Sequence, residues 1–546
     1  MHTMRTLNRF LPRILLALAG CAGAGALLAE NTNSMYHLTA PTPGGLSPRP
    51  CFLRATRDAA GIHLQWQGLN GPYQVQVSPT AQCPAWENVG GPTVGTSLTV
   101  PVDQPLAVFQ VQAASPLYQG EPSCAACHRD IHAEWQQGPH PHALDPLEKF
   151  GVADSPTCLP CHTVGYGYRT GFQSVETTPD KGSTQCENCH GPAGLHAANI
   201  ADPSLRPKVT VDSATCGGCH NYRFIHRTYD EWRDSLHTPV TPAVARKVLD
   251  EGEPAMNECG VCHSGAVRLA LLKQWADPAA PTVLPSREDA AGFAVGCVTC
   301  HQPHDPSQLR NPLHSTEDYS YDPDVPFAAQ YNPDIQVCAQ CHNERGADWR
   351  DTARPPHGSP QYNVLIGTAG YDPENTEMQR AHAGIAGQCI GCHAQGYGNG
   401  QLTEGPYTGH TTRVEYEQCS ACHGSAEIGE LLRDGTQQVT RERMTALLDL
   451  LNTWGETKAP AGLREKYGRL AWEYTRVGEL SNPDGDPEIS GPTADEQTLI
   501  PDAIKQARLN LYLVEKDGSY GVHNGGYTRH LLDVATANVK SELAKP

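Results

Sequence analysis

Nine short motifs of identical form carry the residues of this chain with the clearest chemistry. Each motif places two cysteines three residues apart, and a histidine directly follows the second cysteine. Cysteines at i and i+3 lie on one side of a single helical turn, so both thiols can form thioethers to the vinyl groups of one porphyrin. The histidine is then directed at the porphyrin iron as its proximal ligand. The motif therefore predicts covalently bound haem c.

The nine motifs together predict nine haem c groups. The cysteines expected to attach haem are Cys124, Cys127, Cys158, Cys161, Cys186, Cys189, Cys216, Cys219, Cys259, Cys262, Cys297, Cys300, Cys338, Cys341, Cys389, Cys392, Cys419 and Cys422. The expected proximal ligands are His128, His162, His190, His220, His263, His301, His342, His393 and His423. One Cys-x-x-Cys unit could be half of a zinc site, but nine units that each continue with histidine argue strongly against zinc.

Composition and charge narrow the class of protein and its partners. The 546 residues are 39% hydrophobic and include 52 Gly and 45 Pro, so porphyrins must supply much of the apolar interior. The formal net charge of −19 argues against nucleic acid as a partner and favours a cationic redox protein or a neutral small molecule. Outside the motifs stand Cys21, Cys51 and Cys83, and the last two are predicted to form a disulfide in an oxidising, exported compartment.

Residues 1–29 read as an export signal, with Arg5, Arg9 and Arg13 before an apolar run rich in small residues. The sequence ending at Cys21 resembles a lipobox, which would leave a lipid anchor on that cysteine. Cleavage near Ala26 or Ala29 would instead release a soluble protein, and both alternatives are open. Either one predicts a periplasmic or an outer-membrane or cell-surface location.

Three further segments follow the signal. Alternating apolar residues in 30–115 predict an all-β sandwich that resembles a fibronectin type III or immunoglobulin-like module, acting as a spacer or docking unit. Residues 116–425 form the haem domain, expected to be mainly helical and irregular. It contains an internal repeat, since Cys-x-x-Cys-His-x-x-Gly-Tyr-Gly occurs at 158–167 and again at 389–398. Helical periodicity in 426–546 predicts helices that brace the haem region or form a homo-oligomer interface.

The function depends on the sixth ligand of each iron, because a second histidine closes the position and an empty one can bind a small molecule. Thirteen histidines of the haem and C-terminal regions lie outside the motifs, so their number does not demand an open haem. The favoured distal candidates are His140, His196, His237, His357, His382, His410 and His523. Less favoured are His132, His142, His226, His304, His314 and His530.

Family resemblances follow from these motifs. CAACH, CLPCHTVGYG, CENCHGPAGLH and CGGCH, within 121–237, resemble the tetrahaem cytochrome c that accepts electrons from hydroxylamine oxidoreductase. The later motifs and GVHNGGYTRHLL resemble the superfamily of pentahaem nitrite reductase and octahaem hydroxylamine oxidoreductase. The resemblance implies closely stacked haems among loops and helices, and long C-terminal helices that often form a dimer interface.

Departures from that superfamily argue against nitrite reduction by its usual mechanism. The catalytic haem motif of the reductases ends in lysine, whereas the matching motif here ends in His263, and their active-site tyrosine is not evident in CHNERGADW. Resemblance to the tetrahaem protein implies that the haem of Cys158, Cys161 and His162 is the open one. Electron transfer is the favoured function, with redox proteins as partners. The alternative is an oxidoreductase acting on a small nitrogen or sulfur compound at one open haem, and no catalytic residue is identified.

Overall fold

The structure is a computed structural model with helices, turns and few strands. It describes residues 16–18, 51–57, 61–67, 73–78, 87–93, 95–101, 107–113, 117–207, 211–221, 227–238, 247–248, 250–276, 284–287, 294–304, 337–373, 381–385, 387–396 and 407–546. Cys21, Cys83, His226 and His314 lie outside these residues, so the lipid anchor and the disulfide stay predictions.

All described strands except Leu16–Leu18 fall in 30–115, the segment whose alternating pattern predicts β structure, and Leu16–Leu18 lies in the predicted export signal. One sheet has the order Cys51–Arg57, Ile62–Gln67 and Ser97–Val100, all antiparallel. The other joins Leu16–Leu18, Ala107–Ala113, Tyr73–Ser78 and Glu87–Asn88, with the first pair parallel. The predicted inward residues Ile62, Leu64 and Trp66 are buried in one apolar cluster with residues of both sheets. Assignment to the fibronectin or immunoglobulin class stays a prediction.

The described parts of 116–425, called the haem segments below, are built mostly from short helices connected by turns. Their helices are Glu121–Ala125, Arg129–Trp135, Asp145–Lys149, Leu159–His162, Cys186–His190, Gly194–Ala198, Ala214–Gly217, Thr228–Arg233, Glu253–Ala255, Val261–His263, Gly265–Ala276, Cys297–Cys300, Gln361–Ile366, Cys389–His393 and Ser420–His423. Met256–Gly260 forms a π-helical turn before the fifth motif histidine. The apolar clusters confined to the described part of these segments contain few buried side chains. One of them consists of Leu144, Leu147, Leu159 and Phe172.

The C-terminal region contains the three longest helices of the described residues, as its periodicity predicts. These are Ala426–Thr457, Asp502–Asp517 and Gly525–Leu543, and a shorter helix, Ala461–Tyr467, lies between the first two. Met444, Leu447 and Leu451 are buried along one face of the first, in a core that also takes side chains from the other three. Asp502–Asp517 ends at Gly518, which has φ 72° and so adopts the left-handed conformation that favours glycine. The next helix begins after Asn524, whose side chain accepts a hydrogen bond from the Tyr527 amide.

The chain divides into two compact units. The first comprises Met1–Cys219 with Pro303–Gln308, and the second comprises His220–Gln302 with Leu309–Pro546. The boundaries expected at 115 and 425 stay predictions. Within the described ranges, no helix combines the length and apolar character needed to cross a membrane.

Candidate haem-binding sites

Four motifs fold locally as their spacing predicts. The backbone amides of His128, His162, His301 and His342 donate to the carbonyl of the first cysteine of their motif, at 2.9 Å for His128 and Cys124 and 2.8 Å for His342 and Cys338. This bond closes one helical turn and keeps the two thiols on the same side of it. All eighteen motif cysteines are free of disulfides. The thiols therefore remain available for thioether formation.

Six motif histidines face a second histidine from elsewhere in the chain. The ring centroids lie 6.1 Å apart for His190 and His304, 6.1 Å for His237 and His342, 6.1 Å for His263 and His357, 5.9 Å for His301 and His410, 6.3 Å for His382 and His423, and 6.3 Å for His393 and His523. Five of these second histidines belong to the group favoured from sequence. The sixth, His304, does not.

The spacing of these rings fits an iron held between two imidazoles. Metal–imidazole bonds are about 2 Å long, and an imidazole centre lies about 1 Å from its nitrogen, so two axial rings have centroids about 6 Å apart. Direct stacking of the two rings, or a hydrogen bond of about 3 Å between their nitrogens, would bring the ring centres to about 5 Å or less. The residues present therefore fit haem with two histidine ligands at these six positions.

Hydrogen bonds hold several of these rings by Nδ1 and leave Nε2 for a metal. Nδ1 of His382 lies 2.6 Å from the Val522 carbonyl, and Nδ1 of His393 lies 3.0 Å from the Thr412 carbonyl. A carbonyl only accepts, so Nδ1 carries the proton in both rings. An imidazole protonated at Nδ1 presents its Nε2 lone pair as a ligand, and the second contact fixes the orientation of the ring.

Burial favours the neutral, metal-binding form in four of the six second histidines, namely His237, His304, His357 and His410. Desolvation and, to a lesser extent, the neighbouring His342 together lower the pKa of His237 to about 4. The pKa of His357 also falls to about 4, first because of burial and then because of Arg345. His304 and His410 have pKa values lowered mainly by burial. Such imidazoles need no deprotonation at neutral pH before they bind iron.

His523 differs from these four histidines, because its pKa is raised. Burial by itself lowers the pKa of this histidine, but the Asp517 carboxylate, through its charge and its hydrogen bond, outweighs burial and raises the pKa. The Asp517 Oδ1 atom lies 2.6 Å from Nδ1 of His523.

A buried carboxylate orients the loop that carries His410. Glu231 is 4% exposed, and its carboxylate accepts from the Thr408 amide at 3.0 Å, the Thr408 hydroxyl at 2.8 Å and the His410 amide at 3.1 Å. Nδ1 of His410 in turn lies 2.9 Å from the Thr408 hydroxyl oxygen. Glu231 thus fixes the backbone on both sides of Gly409 and, through Thr408, the ring that faces His301.

Glu231→Gln should weaken this anchor, because the amide nitrogen brings a donor to a site that already contains three donors. We expect a loss of about 1–3 kcal/mol in the free energy of unfolding, together with partial loss of low-spin character at one haem. Chemical denaturation and electron paramagnetic resonance of the haem-loaded protein measure these two effects. Glu430→Gln, which changes an exposed carboxylate beside Arg433, should affect neither. A native spectrum and native stability in Glu231→Gln would contradict the anchoring role.

The remaining candidates are placed as follows. His140 is half-buried, and its pKa is lowered by burial. His196 is half-buried, and its Nδ1 has no hydrogen-bond partner among the described residues. Their axial roles stay predictions. Three less favoured histidines contact carboxylates instead: His132 meets Glu121, His142 meets Asp145 and His530 meets Asp372.

His304 is among the less favoured distal candidates from sequence, but the structure places it opposite a motif histidine. Its ring faces His190, and the two rings are inclined by only 17°. It stands in the segment CVTCHQPH, three residues after His301. A histidine so near a motif cannot reach the iron of its own motif on the opposite face, and this could have directed attention to another haem.

Thiols of different motifs also contact one another within each unit. The hydrogen-bonded pairs are Cys124 with Cys186, Cys161 with Cys219, Cys262 with Cys341, and Cys338 with Cys389. The attachment points of these motif pairs are therefore immediate neighbours. Within the described part of the chain, no three or more His, Cys, Asp or Glu side chains converge as a metal-ion site.

Comparison with known proteins agrees with this chemistry. A family model described as cytochrome c554 and c-prime matches residues 123–191, and one described as outer membrane cytochrome MtrC/MtrF-like, domains II/IV, matches 314–450. Cytochrome c-554 of Nitrosomonas europaea is 28% identical over 188 residues, covering 28% of this chain and 78% of that protein. The predicted resemblance of the first haem segment to a cytochrome c of this kind is confirmed.

Two solved structures are also similar. The outer cell wall cytochrome OcwA has a TM-score of 0.49 at 17% identity, with 77% of this chain and 99% of that one covered. An undecaheme cytochrome from the S-layer of Carboxydothermus ferrireducens has a TM-score of 0.46 at 18% identity, with 78% of this chain and 70% of that one covered.

Proposed function

We propose that this chain, a member of the multihaem cytochrome c superfamily, binds nine haem c groups and transfers electrons between a donor and an acceptor protein. The observation that carries the proposal is the set of six histidine pairs with ring centroids 5.9 to 6.3 Å apart. Haem c, when bound, supplies an iron that gains or loses one electron. Two histidines on one iron leave no position for a substrate, which favours electron transfer over catalysis at these sites.

Contacts between thiols of different motifs indicate which of the proposed haem sites are neighbours. Thiol contacts in the first unit bring the first motif beside the third, and the second beside the fourth. In the second unit, the seventh motif lies beside the fifth through Cys341 and beside the eighth through Cys338. Porphyrins attached at neighbouring thiols would themselves be neighbours. We infer a series of short electron-transfer steps within each unit.

We also propose that the protein acts outside the cytoplasm. The export signal predicted at 1–29, the covalent haem motifs and the match to a family model described as an outer membrane cytochrome support a periplasmic or cell-surface location. The charge of −19 favours a cationic redox partner. A lipid anchor at Cys21, a disulfide between Cys51 and Cys83, and self-association through the C-terminal helices belong to the same proposal.

The test uses the full chain produced in a host that exports it and attaches haem. We expect spectra dominated by low-spin ferric haem, complete reduction by a low-potential electron donor, and rapid reoxidation by a second redox protein. Stopped-flow absorbance and low-temperature paramagnetic resonance measure these properties. A high-spin signal that changes on adding nitrite or hydroxylamine, together with turnover of either compound, would favour the alternative oxidoreductase.

A further inference from the structure

The axial histidines differ in the group that their Nδ1 atoms contact. Nδ1 of His382 faces the Val522 carbonyl, and Nδ1 of His357 lies 2.9 Å from the Ser359 hydroxyl oxygen. That hydroxyl donates to the Asn343 carbonyl, so it accepts from His357. Nδ1 of His523 instead faces a carboxylate, that of Asp517. One axial ligand thus has an anionic partner where these others have neutral ones.

The Asp517 carboxylate is shielded from water and held in place. Its side chain is 1% exposed, and its second oxygen accepts from the amide and the hydroxyl of Ser519. Asp517 is the last residue of Asp502–Asp517, and His523 stands two residues before Gly525–Leu543 begins. The turn between two helices packed in the main apolar core therefore sets the geometry of this contact.

We propose that Asp517 sets the reduction potential of the haem attached at Cys389 and Cys392, making it more negative than those of the other paired sites in the second unit. This rests on the proposed axial pairing of His393 with His523. A carboxylate that accepts the Nδ1 proton makes the imidazole a stronger donor at Nε2. A stronger axial donor, and a buried negative charge close by, both favour the oxidised iron, which carries one more positive charge.

The turn that follows Asp517 also contacts the site of the ninth motif. Val522, adjacent to His523, accepts from His382, which faces the motif histidine His423. The turn between the two helices therefore contacts two successive sites, those of the eighth and ninth motifs. It provides a carboxylate to Nδ1 of the distal histidine at the eighth motif and a carbonyl at the ninth. Asp517 creates a step in potential between these neighbours, and this step favours electron flow away from the eighth motif.

The experiment is a potentiometric titration of the haem-loaded full chain, followed by visible absorbance and paramagnetic resonance. Asp517→Asn keeps a side chain of the same shape and removes the charge. We expect the potential of one haem to become more positive, while the haem count and the low-spin spectrum are retained. Asp517→Glu, which keeps a carboxylate, should have a potential closer to the native one.

Two control variants test whether the shift in potential depends on a charge next to the axial histidine His523. Ser359→Ala removes a neutral partner from His357 and should cause a smaller shift, at a different haem. Asp533→Asn removes an exposed carboxylate of Gly525–Leu543 that contacts Arg443 of Ala426–Thr457, and it should leave every potential unchanged. Equal shifts in Asp517→Asn and Asp533→Asn would show a nonspecific charge effect and overturn the proposal.

The outcomes also separate this proposal from the proposed function. Unchanged potentials in Asp517→Asn with full haem content would refute the tuning role and leave the electron-transfer function intact. Loss of one haem from that variant, measured by mass, would show a structural role and overturn the tuning role. If His523→Ala leaves the low-spin spectrum unaltered, the pairing with His393 is wrong, and both this proposal and that part of the site assignment fail.

Discussion

Replacing His357 with alanine should convert one low-spin haem into a high-spin haem that binds external ligands, without detaching it. The ring of His357 lies 6.1 Å from that of His263 and is the second axial ligand in our proposal. Removing it leaves the iron with His263 alone, and a five-coordinate iron can bind a small molecule. The covalent attachment at Cys259 and Cys262 is untouched, so the haem count should not change.

The measurement is a paramagnetic resonance spectrum, followed by titration with carbon monoxide after reduction. We expect a high-spin signal from about one ninth of the haem and an equal fraction that binds carbon monoxide tightly. His530→Ala is the matched control, because His530 contacts the carboxylate of Asp372 at 3.0 Å. A spectrum of His357→Ala identical to that of the control would refute the assignment of His357 as an axial ligand.

Of the haem region and the C-terminal helices, only the C-terminal helices should fold in the chain made without haem attachment. Trp454, Leu447 and Leu451 are at most 2% exposed in the large apolar core of this region, and fully burying one such side chain contributes about 1.5–3 kcal/mol. Among the described residues of the haem segments, the apolar clusters confined to these segments have four or five buried residues each. Porphyrins must supply the missing apolar surface there, so their absence removes the main stabilising contribution.

Hydrogen exchange compares the two forms directly. The same full chain is produced with its export signal, to give the haem-loaded form, and without it in the cytoplasm, to give the haem-free form. Within residues 117–546, we expect protected amides in the haem-free chain to be confined to about 426–543, with protection across the haem segments only in the loaded form. Equal protection of residues 117–207 in both forms would show that this part of the chain builds a core without haem.

The C-terminal region also shows where a helical pattern is an incomplete guide. Met444, Leu447 and Leu451 recur at helical spacing, and all three lie buried in the helix Ala426–Thr457. The periodicity also extends from Leu463 through Tyr467 and Leu470, but the helix Ala461–Tyr467 ends there. Gly468 follows with φ 54°, and a separate 3-10 turn carries Leu470. Apolar spacing reports which residues face the core, whereas backbone conformation at one glycine decides where the helix stops.

The sequence by itself determined the chemistry of the nine motifs, because a cysteine pair and its histidine need only one helical turn to act together. Cys338 and His342 illustrate this, since a single backbone hydrogen bond joins them. Only the tertiary structure decided which second histidine faces which motif, as with His304 and His190 or His523 and His393. These partners are far apart in the chain, and no local spacing links them. Their approach depends on how the helices and turns between them pack, a property of the whole fold that no single stretch of sequence carries.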